Sequence, residues 1–216
     1  MKVLQVSDVH GSLEAATKVA AKAASYDLVL VVGDITHFGN IPQAEALLST
    51  MANDAEKVVF VPGNCDHPSL LAWRPNSEKI INLHLNRLEL EGYEFLGIGG
   101  GNVSPFNTLI EFTEKEFENM LTNLNPSSDK FILVSHTPPY GADADIARGK
   151  HMGSTAIKAY VDNKRPLAVC CGHIHEARSV SKIGETVVVN AGPAKEGNCA
   201  VLEIEGKSVK ATLLKL

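Results

Sequence analysis

Residues 2–34 read KVLQVSDVHGSLEAATKVAAKAASYDLVLVVGD, and this stretch decides the fold. Lys2 to Ser7 and Leu28 to Val32 are short, rich in Val and Leu, and each runs into Asp or Gly. Between them, Leu13 to Ala24 is Ala-rich and of high helix propensity. The order reads as β-α-β.

The same alternation continues outward. Ile41 to Met51 reads as a helix with Pro42 in its first turn, and Lys57 to Val61 as a strand stopped by Pro62-Gly63. Lys79 to Ile98 reads as two or three strands before Gly99-Gly100-Gly101, where a tight backbone turn is expected. Thr113 to Asn123 is a helix opened by Thr113 with Glu116 three positions on, the spacing of a capping box. Lys130 to Ser135 and Leu167 to Cys171 are strands, separated by a loop over Thr137 to Gly153 and a helix near Ser154 to Val161. The tail, Ala177 to Leu214, reads as an antiparallel meander. No repeat or linker interrupts the chain. The expected fold is α/β, two packed mixed sheets with helices outside, in one domain spanning residues 1–216.

Composition narrows the function. Apolar residues make up 44% and charged residues 21%, as in ordinary globular proteins. A net charge of −5 and the absence of any Lys/Arg-rich tract speak against gripping a nucleic-acid backbone. No apolar run approaches the roughly 20 residues that span a bilayer, and no signal-peptide pattern opens the chain, so a cytoplasmic protein with no membrane partner is expected. Cys65, Cys170, Cys171 and Cys199 form no C-x-x-C pair and are read as free thiols, with Cys170 and Cys171 facing opposite ways along a strand.

Five polar clusters each follow an apolar strand: Asp8-Val9-His10, Gly33-Asp34, Gly63-Asn64-Cys65-Asp66, Ser135-His136 and Gly172-His173-Ile174-His175. In α/β folds the loops beyond the strands' carboxyl ends converge on the ligand. Asp8 and His10, like His173 and His175, sit two apart, so extended backbone points each pair one way. Any one cluster alone reads as a turn former or a solvated His. Five together supply only imidazole, carboxylate and amide oxygen, donors that suit Zn, Mn, Fe or similar ions.

The order D-x-H, G-D, G-N-x-D, lone His and G-H-x-H, from Asp8 to His175, resembles the calcineurin-like metallophosphoesterase family. The resemblance implies a four-layer α/β/β/α sandwich of two mixed β-sheets flanked by helices. It also implies one metal held by Asp8, His10, Asp34 and His175 and a second by Asp34, Asn64, His136 and His173, with Asp34 bridging. The cofactors expected are two divalent metal ions drawn from Mn, Fe, Zn, Co or Ni. Charge counting agrees: two such ions against Asp8, Asp34 and a hydroxide leave about +1, which attracts a phosphate. A metal pair roughly 3.5–4 Å apart can make hydroxide near neutral pH and support its in-line attack at phosphorus.

Many members carry His where this chain has Cys65, and that His is thought to protonate the leaving group. Three readings compete: Cys65 is a small space-filler beside a metal-bound water, Cys65 itself donates, or His67 reaches in. Some relatives with Asn-Cys-Asp are still phosphodiesterase-like. Asp66 reads either as orienting Asn64 or a ligand imidazole, or as a turn Asp binding backbone amides. His151, in the Gly-bounded loop Gly149 to Ser154, reads as a substrate contact, with Arg148 and Lys150 as phosphate contacts, against the reading as solvated loop residues. Trp73 and Phe106 are expected to pack rather than stack a base.

The function expected is hydrolysis of a small phosphorylated substrate, a phosphodiester before a phosphomonoester. The alternative is a non-catalytic metal-binding scaffold, as in retromer subunits that resemble the family. A scaffold would be expected to have lost ligands, and none is missing.

Overall fold

The computed structural model describes residues 1–216. Two six-stranded mixed sheets face one another. The first runs, in spatial order, Ser208–Lys215, Asn198–Glu205, Lys2–Val6, Leu28–Val32, Val58–Val61 and Ile80–Asn82. Its last four strands are parallel, and the Asn198–Glu205 hairpin arm joins Lys2–Val6 antiparallel. The second runs Ser179–Ile183, Thr186–Asn190, Ala168–Cys171, Phe131–Ser135, Tyr93–Ile98 and Arg87–Leu90. Its four central strands are parallel, and its two edge strands are antiparallel.

Continuous apolar runs are what strands buried on both faces require. In the run Leu28 to Val32, Val29 and Val31 pack with Val19, Leu48 and Met51 of the helices Leu13–Ala23 and Ile41–Ala52. Leu28, Leu30 and Val32 point the other way, against Phe95, Ile132 and Val134 of the second sheet. On that sheet's far face, Leu133, Val169 and Cys171 pack with Phe117 and Leu121 of Glu114–Asn123 and with Ile157 and Val161 of Thr155–Lys164. Three apolar layers thus separate four structural layers, and the architecture is the expected α/β/β/α sandwich.

Helix starts follow the sequence. Thr113 and Glu116 close the predicted capping box, and Asn40 closes a second one with Gln43. Cys170 and Cys171 face the inter-sheet and the outer core respectively, and all four cysteines are free. No helix is long and apolar enough to cross a membrane.

The tail is not a meander. Thr186–Asn190 pairs parallel with Ala168–Cys171, whereas Asn198–Glu205 crosses to the first sheet. Two hairpins are therefore split between sheets, and one arm of each, through Val187 and Val189 and through Ala200, Leu202 and Ile204, enters the shared inter-sheet layer from opposite sides. The loop after His136 also contains a two-stranded ribbon, Ile146–Ala147 with Lys150–His151, too short to carry a periodic signal.

Buried Gln5 stitches the sheets together, its Nε2 donating to Cys171 O and Val189 O at 3.0 Å each. The larger stabilisation is apolar burial between the sheets. Leu30→Ala, which opens a cavity there, is expected to lower unfolding free energy by about 2–5 kcal/mol. Urea unfolding with an unchanged m-value checks it; a loss well below that range would show that the layer can collapse around the gap.

Candidate metal centre

The parallel strands of both sheets end at one edge, and the polar residues that follow them meet there. Their backbone is not the extended one expected from spacing. Asp8, His10, Asp34 and His173 have φ of 55°, 47°, 50° and 69°, in the left-handed region that Asp and His tolerate better than most residues. Hydrogen bonds across the first two loops hold it: Asp8 N to Gly33 O at 3.0 Å and His10 N to Asp34 O at 2.8 Å. The side chains converge because the chain turns, not because it alternates.

Two glycines make room for the convergence. A Cβ on Gly33, at φ 80°, would lie 2.1 Å from His136 Nδ1, and one on Gly63 would lie 2.1 Å from Asp34 Oδ1. Each Gly precedes one ligand and clears space for another.

All seven predicted ligands come together in two groups. In the first, His10 Nε2 lies 3.2 Å from His175 Nε2 and 3.6 Å from Asp34 Oδ2, while Asp8 Oδ1 lies 3.2 Å from His175 Nε2. In the second, Asn64 Oδ1 lies 2.9 Å from His136 Nε2 and 2.8 Å from His173 Nδ1. Asp34 Oδ1 is 3.4 Å from His136 Nε2, so the two oxygens of Asp34 face different groups.

The protonation pattern of the second group fits a cation. His136 Nδ1 lies 2.9 Å from Val32 O, and a carbonyl only accepts, so the ring proton sits there and Nε2 carries the lone pair. The Asn64 amide is oriented by a chain of donors. Thr108 Oγ1 donates to the Glu111 carboxylate at 2.7 Å and accepts from Asn64 Nδ2 at 3.0 Å. Asn64 Oδ1 therefore faces two imidazole nitrogens. An acceptor held against a lone pair at 2.9 Å needs positive charge between them, a second ring proton or a metal ion.

Electrostatics favour the ion. Burial lowers His10 to about 4 and His173 to about 3, which keeps both rings neutral and ligating at ordinary pH. Burial raises Asp34 to about 6 despite the nearby His136. Burial also opposes the Asp8 carboxylate, but the His175 hydrogen bond and the charges of His136 and His175 outweigh it and hold Asp8 below the usual range. His175 is raised by the same bond to Asp8, against the effect of burial.

Cys65 is half-buried, its thiol grouped with His10 and Asp34, and burial with the Asp34 charge pushes its pKa well up. Asp66 is fully buried and accepts from Ile35 N, Thr36 N, Thr36 Oγ1 and Gly63 N at 2.7–3.1 Å. None of these partners is Asn64 or an imidazole, so of its two readings the backbone-binding one matches the contacts. His67 is exposed and engaged with Ser69 Oγ at 2.8 Å. His151, Arg148 and Lys150 lie on and beside the ribbon, with His151 and Lys150 exposed. Trp73 packs on Phe60 with ring centroids 5.6 Å apart, but Phe106 is 82% exposed, contrary to the packing expectation.

Sequence reasoning missed the residues that hold the ligands. Thr108 and Glu111 fix Asn64 from a loop with no pattern. Buried Asn190 donates to Gly172 O and Ile174 O, on either side of His173. Asn190 had a legible signal, since it ends the apolar run Thr186–Asn190 as the other site residues end theirs.

Residues 1–177 match the model of the calcineurin-like phosphoesterase family. An uncharacterized protein of Methanocaldococcus jannaschii is 39% identical over 198 residues, covering 89% of this chain and 88% of that one. A probable cyclic nucleotide phosphodiesterase of Vesicomyosocius okutanii is 24% identical over 165 residues, 75% of this chain and 68% of that one. The crystal structure of TT1561 of Thermus thermophilus superposes with a TM-score of 0.75 at 19% identity, covering 98% of this chain and 97% of that one, which shows a shared fold.

Thr108→Val frees the Asn64 amide to rotate and is expected to weaken metal affinity about 10- to 100-fold, read by calorimetric titration, with folding intact. Protons also compete for the ligands: as pH falls, Asp34 takes one near 6 and His175 from above its ordinary range, while His10 and His173 resist to about 4 and about 3. Metal affinity should therefore be retained above neutrality and fall as pH drops through about 6, with proton release on binding. Equal affinities at about pH 8 and about pH 5 would contradict this reading of the site.

Proposed function

The chain belongs to the calcineurin-like phosphoesterase family, and we propose that within it the protein is a dinuclear-metal phosphodiesterase acting on a small phosphorylated substrate. The observation that carries this is the shared Asp34, whose two carboxylate oxygens serve two complete donor groups. Divalent ions held there would supply Lewis acidity toward the phosphoryl oxygens and activate water for in-line attack.

The chain's own residues do the rest. His136 presents Nε2 because Val32 O holds its proton at Nδ1. Asn64 keeps a neutral oxygen beside it, so the second group carries less negative charge than the first and repels a phosphate less. The loops around the centre expose Phe38, Val103, Phe106, Leu109, Tyr140 and Met152. An apolar rim suits an ester with an organic group beyond the phosphate better than a dianionic monoester. The name of the Vesicomyosocius relative points the same way. Four free thiols agree with a cytoplasmic location, and the −5 charge supports a small substrate over nucleic acid.

The scaffold reading stays distinguishable by experiment. Purified protein loaded with manganese is expected to hydrolyse an aryl phosphodiester faster than the matching monoester. His136→Ala should lose both turnover and the second equivalent of metal by elemental analysis. Metal bound without turnover on either ester, even in Cys65→His, would instead assign the protein to the scaffolds.

A further inference from the structure

We infer that His151, oriented by the buried carboxylate of Asp145, is the residue that protonates the departing oxygen of the ester; this rests on the phosphoesterase reading above. Asp145 is fully buried in the loop that follows His136. Its Oδ2 accepts from Gly141 N at 3.1 Å and Gly153 N at 2.9 Å, and its Oδ1 lies 2.5 Å from His151 Nδ1. A carboxylate only accepts, so Nδ1 carries the hydrogen of that bond, and Nε2 is the nitrogen left for another partner. The His151 side chain is 38% exposed, with Tyr140 beside it at 5.4 Å between ring centroids. Loop closure alone would need only the two glycine amides. An imidazole set on a buried carboxylate is the arrangement of a positioned proton donor.

The loop is tied to the ligand segments on both flanks. On one side Arg148 N donates to Glu176 Oε1 at 2.6 Å, next to His175. On the other, Asn102 Nδ2 donates to Met152 O at 3.1 Å. Asn102 follows Gly101, where an added Cβ would lie 2.8 Å from Asn64 Cβ and 3.2 Å from His173 Cε1. Beneath, Asn190 Nδ2 bonds Ala144 O at 3.2 Å and Ile174 O at 2.9 Å. The loop that carries His151 is therefore tied on three sides to the segments that carry the candidate ligands.

Of the other histidines that are not candidate ligands, His84 is buried and its Nδ1 accepts from Gly99 N at 2.9 Å, and none is set on a carboxylate. Cys65 follows Asn64, and His67 is engaged with Ser69. His37 is exposed near His10, with ring centroids 5.6 Å apart, but no carboxylate or carbonyl orients it. In the step itself, water adds to phosphorus while the ester P–O bond breaks and its electron pair leaves with the oxygen. In its doubly protonated form His151 keeps the Nδ1 proton on Asp145 and passes the Nε2 proton to that oxygen, the alcohol departs neutral, and Nε2 is reprotonated by the proton released from the attacking water.

The test uses the full-length, manganese-loaded protein and a series of phenyl phosphodiesters whose ring substituents grade the leaving group from good to poor. His151→Gln is expected to lose about 10²- to 10⁴-fold in kcat/KM on the poorest leaving group and less than about tenfold on nitrophenolate, which departs unprotonated. Asp145→Asn should show the same steepened dependence with metal content unchanged, and His37→Ala should not. In the metal-free protein, nitrogen-15 NMR is expected to show the His151 proton on Nδ1, shifted to low field and lost in Asp145→Asn. Uniform losses across the series, a steep dependence in His37→Ala, or an unprotonated Nδ1 would overturn the assignment while leaving the phosphoesterase reading intact. Wild-type protein that turns over none of the esters would sink both.

Discussion

The hydrogen bond from His136 Nδ1 to Val32 O joins the two sheets at the place where chemistry is assembled. His136 leaves the second sheet and Val32 ends a strand of the first, so the bond forms only when both strand ends are in register. The same bond sets the ring tautomer and so decides which nitrogen faces the centre. Gly33, next along from Val32, is the residue that lets the ring approach so closely. Sheet packing, tautomer and ligand direction are one constraint rather than three.

That constraint requires a backbone that L-residues adopt reluctantly. Asp8, His10, Asp34 and His173 lie in the left-handed region, at a cost of order 1–3 kcal/mol each. The offset comes from elsewhere: fully buried strands anchor the loops from below, and Asp66 and Asn190 satisfy loop backbone groups from the side. Polar residues that touch no ligand atom thus keep the ligands where the turns put them. Ligand binding to the folded chain alone would add to its stability by mass action.

Much of this was legible in the sequence, for reasons that differ by element. Strands such as Leu28–Val32 and the capping box at Thr113 are local signals, fixed by burial on both faces and by backbone groups a few residues away. The convergence of the seven candidate ligands was legible because each lies just beyond a strand, and strand ends converge in this class of fold. The turn conformation at Asp8 and His10 was not, because spacing of two also fits extended backbone. Nor was the split of the tail between sheets, since both hairpins carry the same alternation and only long-range packing separates them. Thr108 acts on Asn64 from 44 positions away, and Asp145 reaches His151 across a turn, through pairings that no periodicity encodes.

The charge pattern explains why so buried a centre is tolerable. Seven polar side chains converge on one space: two carboxylates, an amide oxygen and four imidazoles, of which burial keeps His10 and His173 neutral. The lone pairs of His136 Nε2 and Asn64 Oδ1 face one another at 2.9 Å, a contact that is unfavourable in isolation. Burial raises Asp34 to about 6, a sign of how strongly the arrangement by itself resists a second negative charge. Divalent ions would turn that repulsion into coordination, and the excess positive charge would then favour an anionic ester. The feature that destabilises the site without its ions is the one that would select its substrate with them.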